Sequence, residues 1–531
     1  MILMANLARF FICQTKTMLL GEIIERNARR YPNKTALSFK SERITFKDLN
    51  QRANKLANGL YDLGVKKGDR IAIVADTCPQ HIEISCAGIK GGTVITLLNP
   101  GLTPRELIHL MNNAEASTII FGANYKGLVD SLRPELKSVR NFIIMGDAQN
   151  DVKGYEALIE ASSHADPGVE TEDDDLLFLV CSGGTTGLPK QIMHTYRSSL
   201  VTMLNVMWAY NIEHEDICLF AVPAFWGQLI PWLIFSHFYM GCSIVILKDV
   251  NPKSVLETIQ QEKITTNFIG SPFLPMLLDS PELKMYDHSS LRRIVVAGAP
   301  LPTDVWKRAL SAFGDIFGQV YGLSEMSPIT FLRPEDFVLE GPEEKVNKLR
   351  SCGREIINMH ARVVDDQGKD VAQGEVGEVI AKGRSMMAGY WNAPKATEET
   401  IRGGYLYTGD VATIDEEGYI FLMGRRKDVI TSRDKILSPS EIEDIIYTHP
   451  SVQEAAVIGV PDDELGEAVK AVVVLKTGEE LSSSDIISLC QEHLPPYAVP
   501  QSVDFAAGLP KSPVGKVLKH KLRDKYATPT S

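Results

Sequence analysis

Leu176-Leu177-Phe178-Leu179-Val180, then Ser182-Gly183-Gly184-Thr185-Thr186-Gly187-Leu188-Pro189-Lys190, is the stretch on which the reading of this chain turns. The apolar run reads as a buried strand, and the loop after it is built to hold phosphate. Small residues let backbone N–H groups turn inward around an anion, two threonine hydroxyls add donors, and the lysine brings positive charge. It is not a Walker A loop, which needs Gly-Lys-Ser/Thr in succession at the mouth of a helix. Here Pro189 separates Gly187 from Lys190, and Gln191 follows. Kinase-like and P-loop ATPase readings lose their support. A merely flexible surface loop accounts for the small residues, but not for hydroxyls and a lysine placed after a buried strand.

Upstream, Thr45 precedes Leu49, Ala53, Leu56, Ala57, Leu60 and Leu63 at helical spacing, with Gly64 at the expected C-terminus. Ile71-Ala72-Ile73-Val74 then reads as a buried strand, and similar apolar runs at 117–121, 141–145, 243–247 and 293–297 alternate with helical patterns. This predicts an α/β chain whose large N-terminal domain, 18–426, is built of mostly parallel sheets covered by helices. Between about 350 and 424 short alternating segments separated by turns such as Asp365-Asp366-Gln367-Gly368 predict a small β-rich, barrel-like subdomain. After Gly424-Arg425-Arg426-Lys427-Asp428 the helix-and-strand style returns. Ser438-Pro439-Ser440-Glu441 reads as a capping box with proline at the first helical position. A small α+β C-terminal domain, 427–531, is expected there.

The 531 residues exceed one ordinary core, and 44% apolar residues leave burial unlimited. A formal charge of −12 argues against a nucleic-acid partner held by a basic surface. Anionic ligands are then gripped by local sites. Eight cysteines without a Cys-x-x-Cys pair read as scattered thiols of a cytoplasmic protein without structural metal. No run of about 18 apolar residues predicts a membrane span. Residues 1–17 are apolar but broken by Arg9 and read as an N-terminal extension, with Met18 an alternative start and a short targeting segment the competing reading.

Four further motifs follow the loop in order: Tyr321-Gly322-Leu323-Ser324-Glu325, Tyr407-Thr408-Gly409-Asp410, Gly424-Arg425-Arg426-Lys427-Asp428 and Pro510-Lys511-Ser512-Pro513-Val514-Gly515-Lys516. Together with Leu98-Asn99-Pro100, Gly374-Glu375-Val376-Gly377-Glu378 and Gly389-Tyr390-Trp391, they closely resemble the acyl-adenylate-forming superfamily of acyl- and aryl-CoA synthetases, peptide-synthetase adenylation domains and luciferases. The resemblance spans nearly the whole chain from about Met18. It implies ATP, Mg²⁺ and coenzyme A. Ser182, Gly183, Gly184, Thr185, Thr186, Gly187 and Lys190 would hold the departing pyrophosphate. Ser324 and Glu325 would face the α-phosphate and Mg²⁺, a carboxylate being the hard oxygen ligand this ion prefers. Gly298, Ala299 and Pro300 would approach adenine, Tyr321 of Tyr321-Gly322 would stack on it, and Asp410 would accept from the ribose hydroxyls with Arg425 close by. Lys516 would offset the charge that builds at the α-phosphate when the acid attacks. The C-terminal domain would swing about Lys427 between adenylating and thiolating poses.

Three departures stand out. Gln191 replaces the glycine that usually follows the loop lysine, and Ser182-Gly183-Gly184 is closer to the form in dihydroxybenzoate-adenylating enzymes. Those enzymes carry a ring-reading asparagine in the segment matching Pro223-Ala224-Phe225-Trp226-Gly227, which has no amide here. Trp226 instead resembles the tryptophan gate of some fatty-acyl-CoA synthetases. With Phe225, Trp232 and Phe268 it suggests a large apolar acid pocket, although these aromatics also suit an ordinary core. Arg433-Asp434 replace a usual glycine pair, so that either Arg433 holds a CoA phosphate or the thiol step is impaired or redirected. The leading expectation is an acyl-CoA synthetase for a hydrophobic acid, whether fatty, alicyclic or aromatic. A stand-alone adenylase loading a carrier protein and a catalytically silent nucleotide-binding protein are the alternatives, and a homodimer stands open.

Overall fold

The computed structural model describes residues 20–148, 151–182, 188–226, 228–432, 435–462, 464–511 and 517–526. The helix anticipated after Thr45 spans Phe46–Asp62. The Thr45 side chain accepts from the Asp48 N–H, and Leu49, Ala53, Leu56 and Leu60 face inward. Gly64 follows with φ +81°, a left-handed value glycine adopts without strain.

Two large sheets dominate. An eight-stranded sheet is parallel through Val94–Leu98, Arg70–Val74, Thr118–Gly122 and Asn141–Met145. Leu176–Cys181 joins it in parallel and turns back antiparallel as Gln191–Thr195. A nine-stranded sheet is parallel through Thr35–Phe39, Ser243–Ile246, Ile217–Phe220, Thr266–Gly270, Arg293–Ala297 and Phe317–Leu323, with antiparallel strands at both edges. Central parallel strands are covered on both faces, which is why they read as unbroken apolar runs: Ile71, Ala72, Ile73 and Val74 are fully buried.

A third sheet is antiparallel, built from Met359–Val364, Gly377–Gly383, Tyr405–Ile414, Ile401–Arg402 and Ile420–Arg425. One segment within these bounds leaves it: Gly389–Tyr390 pairs with Gln191–Thr195 as an edge strand of the eight-stranded sheet. Beyond an exposed turn at Arg426 and Lys427, a fourth sheet holds Ile430–Ser432, Lys435–Leu437, Val452–Asp462, Gly466–Leu475 and Ser502–Phe505. Its apolar core, with Ile430, Ile446, Val457, Val473 and Ile486, is its own.

The capping box at Ser438 is only half formed. Ser438 Oγ accepts from the Glu441 N–H at 3.4 Å and Pro439 opens the helix Pro439–Tyr447, but the Glu441 carboxylate turns to Arg350 at 3.5 Å. A charged partner outcompetes the cap's own N–H for the carboxylate.

Candidate active site

The phosphate loop is pinned at its two ends. Ser182 N–H donates to the Lys190 carbonyl at 2.8 Å and Lys190 N–H donates to Ser182 Oγ at 3.0 Å, closing the hairpin between Leu176–Cys181 and Gln191–Thr195. Gly183, Gly184, Thr185, Thr186 and Gly187 lie outside the described residues, as do Arg433 and Lys516. Lys190 is exposed, and its ammonium sits 4.9 Å over the Tyr390 ring. The Tyr390 hydroxyl donates to Glu325 Oε1 at 2.7 Å. Lys190 and Glu325, 135 positions apart in sequence, are thus bridged by one aromatic residue on the edge strand Gly389–Tyr390. Burial, then the Glu325 charge, pushes the Tyr390 hydroxyl well up, so it stays a donor.

Ser324 and Glu325 occupy the turn between Phe317–Leu323 and Met326–Leu332, where Leu323 pairs with Met326. Two side chains hold this turn from below. The Ser324 carbonyl accepts from Gln228 Nε2 at 2.8 Å and lies 2.9 Å from His194 Nε2. His194 is buried, which pushes its imidazole down to about 4 and keeps it neutral. Gly322 is required by packing: a Cβ there would meet Ser327 Oγ at 2.7 Å and the Met326 carbonyl at 3.0 Å.

Tyr321 donates to Asp410 Oδ2 at 2.7 Å, and Arg425 Nε reaches Asp410 Oδ1 at 2.9 Å. Cross-strand register sets the second contact, Asp410 lying opposite Arg425. Arg425 also donates to the Thr408 carbonyl, and Thr408 Oγ1 accepts from the Asp410 N–H. Burial, then the Asp410 charge, drives the Tyr321 hydroxyl far above its ordinary value. Glu325, Tyr390, Thr408, Gly409 and Arg425 share one cavity of about 260 Å³. Gly298, Ala299 and Pro300 are exposed at the end of Arg293–Ala297. Gly298 adopts φ +117°, which demands glycine, and Ser271 Oγ donates to the Ala299 carbonyl and accepts its N–H.

Of the acid-pocket candidates, Phe225 and Trp226 are half-buried, whereas Phe268 is buried edge-on to Trp232 at 5.2 Å. Lys427 lies in the exposed turn between the third and fourth sheets. Gln191 proves to be anchored inside the protein: fully buried, it donates to Thr96 Oγ1 and accepts from Asn113 Nδ2 at 2.8 Å. Sequence reasoning missed Gln228, an amide one residue past the segment searched for one. It also assigned no role to Tyr390, although Gly389-Tyr390-Trp391 was in view.

Among the described residues no cluster of three His, Cys, Asp or Glu side chains forms a metal cage. A lone carboxylate fits a Mg²⁺ carried mostly by substrate phosphates, and Glu325 Oε2 makes no hydrogen bond or ion pair among the described residues.

The AMP-binding enzyme family matches residues 24–391, and the AMP-binding enzyme C-terminal domain matches 441–516. A long-chain-fatty-acid–CoA ligase of Salmonella typhimurium is 32% identical over 538 aligned residues, covering 95% of this chain and 94% of its own. A feruloyl-CoA synthase of Amycolatopsis is 31% identical, with 96% and 99% covered. An anthranilate CoA ligase crystallised with anthranoyl-AMP superposes with a TM-score of 0.87 at 27% identity, covering 96% of this chain and 97% of its own. The chain belongs to the AMP-binding enzyme family and is an AMP-forming acid–thiol ligase of the acyl-adenylate-forming superfamily.

Proposed function

We propose that this enzyme converts a hydrophobic carboxylic acid, ATP and CoA into the acyl-CoA thioester, AMP and pyrophosphate. The observation that carries the reading is the chain Lys190–Tyr390–Glu325 beside Tyr321–Asp410–Arg425, of which Tyr390, Glu325 and Arg425 line one cavity. A cation suited to pyrophosphate, a carboxylate suited to Mg²⁺ and an acceptor suited to ribose hydroxyls stand together.

In the first step an acid oxygen bonds to the α-phosphorus of ATP, the bond to the bridging oxygen breaks, and pyrophosphate leaves. Mg²⁺, held by Glu325 and phosphate oxygens, would offset charge on those oxygens. Lys190 and the Ser182–Thr186 donors hold the leaving group, Ser324 faces the α-phosphate, and Lys516 enters from the C-terminal domain. Asp410, fixed by Tyr321 and Arg425, accepts from the ribose hydroxyls. Adenine lies against Tyr321 and Gly298-Ala299-Pro300. In the second step, after a swing about Lys427, the CoA sulfur bonds to the acyl carbon, loses its proton, and AMP leaves. Arg433 faces a CoA phosphate. Phe225, Trp226 and Phe268 enclose the acyl group. The seven described cysteines are free thiols, which supports a cytoplasmic setting. No described helix is long and apolar enough to cross a membrane.

Pyrophosphate release over a panel of acids, with and without CoA, tests the reading. Acid-dependent release with CoA-dependent thioester formation supports it. Acyl-AMP that accumulates and is not discharged by CoA overturns the second step and points to a carrier-protein acceptor.

A further inference from the structure

The strand Ile420–Arg425 belongs to the third sheet and Ile430–Ser432 to the fourth, so residues 426–429 carry the chain from one to the other. A surface connection of this length is mobile unless its side chains are held. Here both neighbours of Lys427 are held, and by different domains.

Arg426 is fixed to the large domain. Its N–H donates to the Gly409 carbonyl at 2.8 Å, and its guanidinium pairs with Asp366 and reaches Glu378 Oε2 at 3.3 Å. Glu378 is buried, and its Oε1 accepts from the Gly409 N–H at 2.9 Å. Through Glu378, Arg426 is tied to the strand Tyr405–Ile414, which carries Asp410. Asp428 is fixed to the C-terminal domain instead. Its carboxylate pairs with Arg523 on the helix Lys519–Tyr526, and Leu522 roots that helix in an apolar cluster with Ala456, Ile458 and Val472. The Arg523 and Asp428 side chains are only 22% and 20% exposed, so this pair is better shielded than an ordinary surface ion pair.

Other bonds span the junction. The Asp428 and Val429 N–H groups donate to the Arg425 carbonyl at 2.7 and 2.9 Å, Ser438 Oγ donates to the Met423 carbonyl at 2.9 Å, and Glu441 pairs with Arg350. A rotation of the C-terminal domain must break these. The anchors of Arg426 and Asp428 each lie on one side of Lys427 and survive it.

We infer that Glu378 and Arg523 are positioning residues for the domain swing: Glu378 clamps Arg426 to the ribose-binding strand, Arg523 clamps Asp428 to the C-terminal domain, and together they confine the rotation to the backbone dihedrals of Lys427. The inference rests on the synthetase reading above, in which each half-reaction has its own pose. A hinge spread over 426–428 would leave more backbone to order in each pose, at an entropic cost for every residue.

The test uses the full chain. Lys427→Pro fixes φ near about −65° and should slow one half-reaction, pyrophosphate release or thioester formation from supplied acyl-AMP, by about 100-fold while largely sparing the other. Adding Glu378→Gln or Arg523→Gln should restore about tenfold of that loss, because Arg426 or Asp428 can then take up the turn. Glu378→Gln keeps an oxygen for the Gly409 N–H and removes only the charge that holds Arg426. No recovery in either double variant overturns the clamps. A well-folded Lys427→Pro enzyme that slows neither half-reaction, or both alike, places the rotation elsewhere and overturns them as well. Wild-type enzyme that releases pyrophosphate but forms no thioester with CoA overturns the synthetase reading itself. Trypsin gives a readout that does not need the proline variant. With Lys427 in place, Glu378→Gln and Arg523→Gln should each speed nicking after Arg426 and Lys427 by roughly 3- to 10-fold at a Tm close to wild type, between the effect of an exposed ion pair and that of a charge-assisted hydrogen bond. Nicking at the wild-type rate, or nicking that rises throughout the chain, refutes the local clamp.

Discussion

Replacing Tyr390 by phenylalanine removes one oxygen and isolates one interaction. The hydroxyl donates to the Glu325 carboxylate at 2.7 Å, a charge-assisted bond worth about 1.5–3 kcal/mol. The ring remains, so the Lys190 ammonium keeps its contact 4.9 Å above it. If Glu325 must be held still to receive Mg²⁺, the loss should appear in the chemical step. At about 1.36 kcal/mol per decade it amounts to a 10- to 100-fold fall in kcat/KM for ATP. Tyr390→Leu also loses the cation–π contact, about 0.5–1 kcal/mol more, and should be slower again by a few-fold. The assay is acid-dependent pyrophosphate release with ATP and Mg²⁺ varied separately, beside thermal melting to confirm folding. The pH dependence gives a second check. The raised Tyr390 pKa keeps the donor bond intact at all pH values below the ordinary tyrosine range, and it is lost only as pH climbs through the folded value. The ratio of wild type to Tyr390→Phe should therefore be flat from about pH 6 to 9. A well-folded Tyr390→Phe enzyme within about twofold of wild type would refute the positioning of Glu325 by this residue.

Lys516→Ala should cut acid-dependent pyrophosphate release by about 10²–10³-fold yet spare thioester formation from supplied acyl-AMP; equal loss in both half-reactions would remove its assigned role. Asp410→Asn should raise the ATP Michaelis constant by about tenfold while leaving the ranking of acids unchanged, and an altered acid ranking would contradict ribose recognition. Gly322→Ala drives a Cβ to 2.7 Å from Ser327 Oγ and should destabilise by about 1–3 kcal/mol in denaturant unfolding, an unchanged midpoint disproving the packing constraint. Asp444 is pushed up to about 7 by burial, opposed by Arg350 and reinforced by Glu443 and Glu441. Its folded pKa lies above the unfolded one, so the folded state binds the extra proton between about pH 4 and 7 and stability falls as pH rises through that window. Asp444→Asn should flatten this slope, and an identical pH profile for the variant would show that the carboxyl does not titrate there.

Much of this architecture was legible because it is written locally. Ile71 to Val74 are apolar on both faces, Thr45 and Gly64 bracket a helical period, and the phosphate loop follows its strand directly. The order of motifs carried the family. What escaped depends on neighbours far apart in the chain. Glu441 looked like half of a capping box until Arg350 stood beside it, and Gln191 looked like a departure in the phosphate loop until its amide met Thr96 and Asn113. The aromatic acid pocket was read from side-chain size alone. Buried groups such as the unpaired Thr202 hydroxyl and Asn205 amide nitrogen become visible only once burial is known, because Thr202 and Asn205 are unremarkable in a helix sequence.

The two-residue strand Gly389–Tyr390 works as a stitch between segments that otherwise fold into different sheets. Beside its pairing with Gln191–Thr195, the Ala388 N–H donates to the Met193 carbonyl, the Trp391 N–H to the Gln191 carbonyl, and the Trp391 indole to the Asn113 carbonyl. The β-rich stretch from about 350 to 424 is consequently no detachable module. A split version of this enzyme cut near 350 would separate Tyr390 from both Lys190 and Glu325 and strip an edge from the neighbouring sheet. A cut in the exposed turn at Arg426 and Lys427 would leave those sheets whole, and two fragments made there are the pair to mix when asking whether activity can be reconstituted.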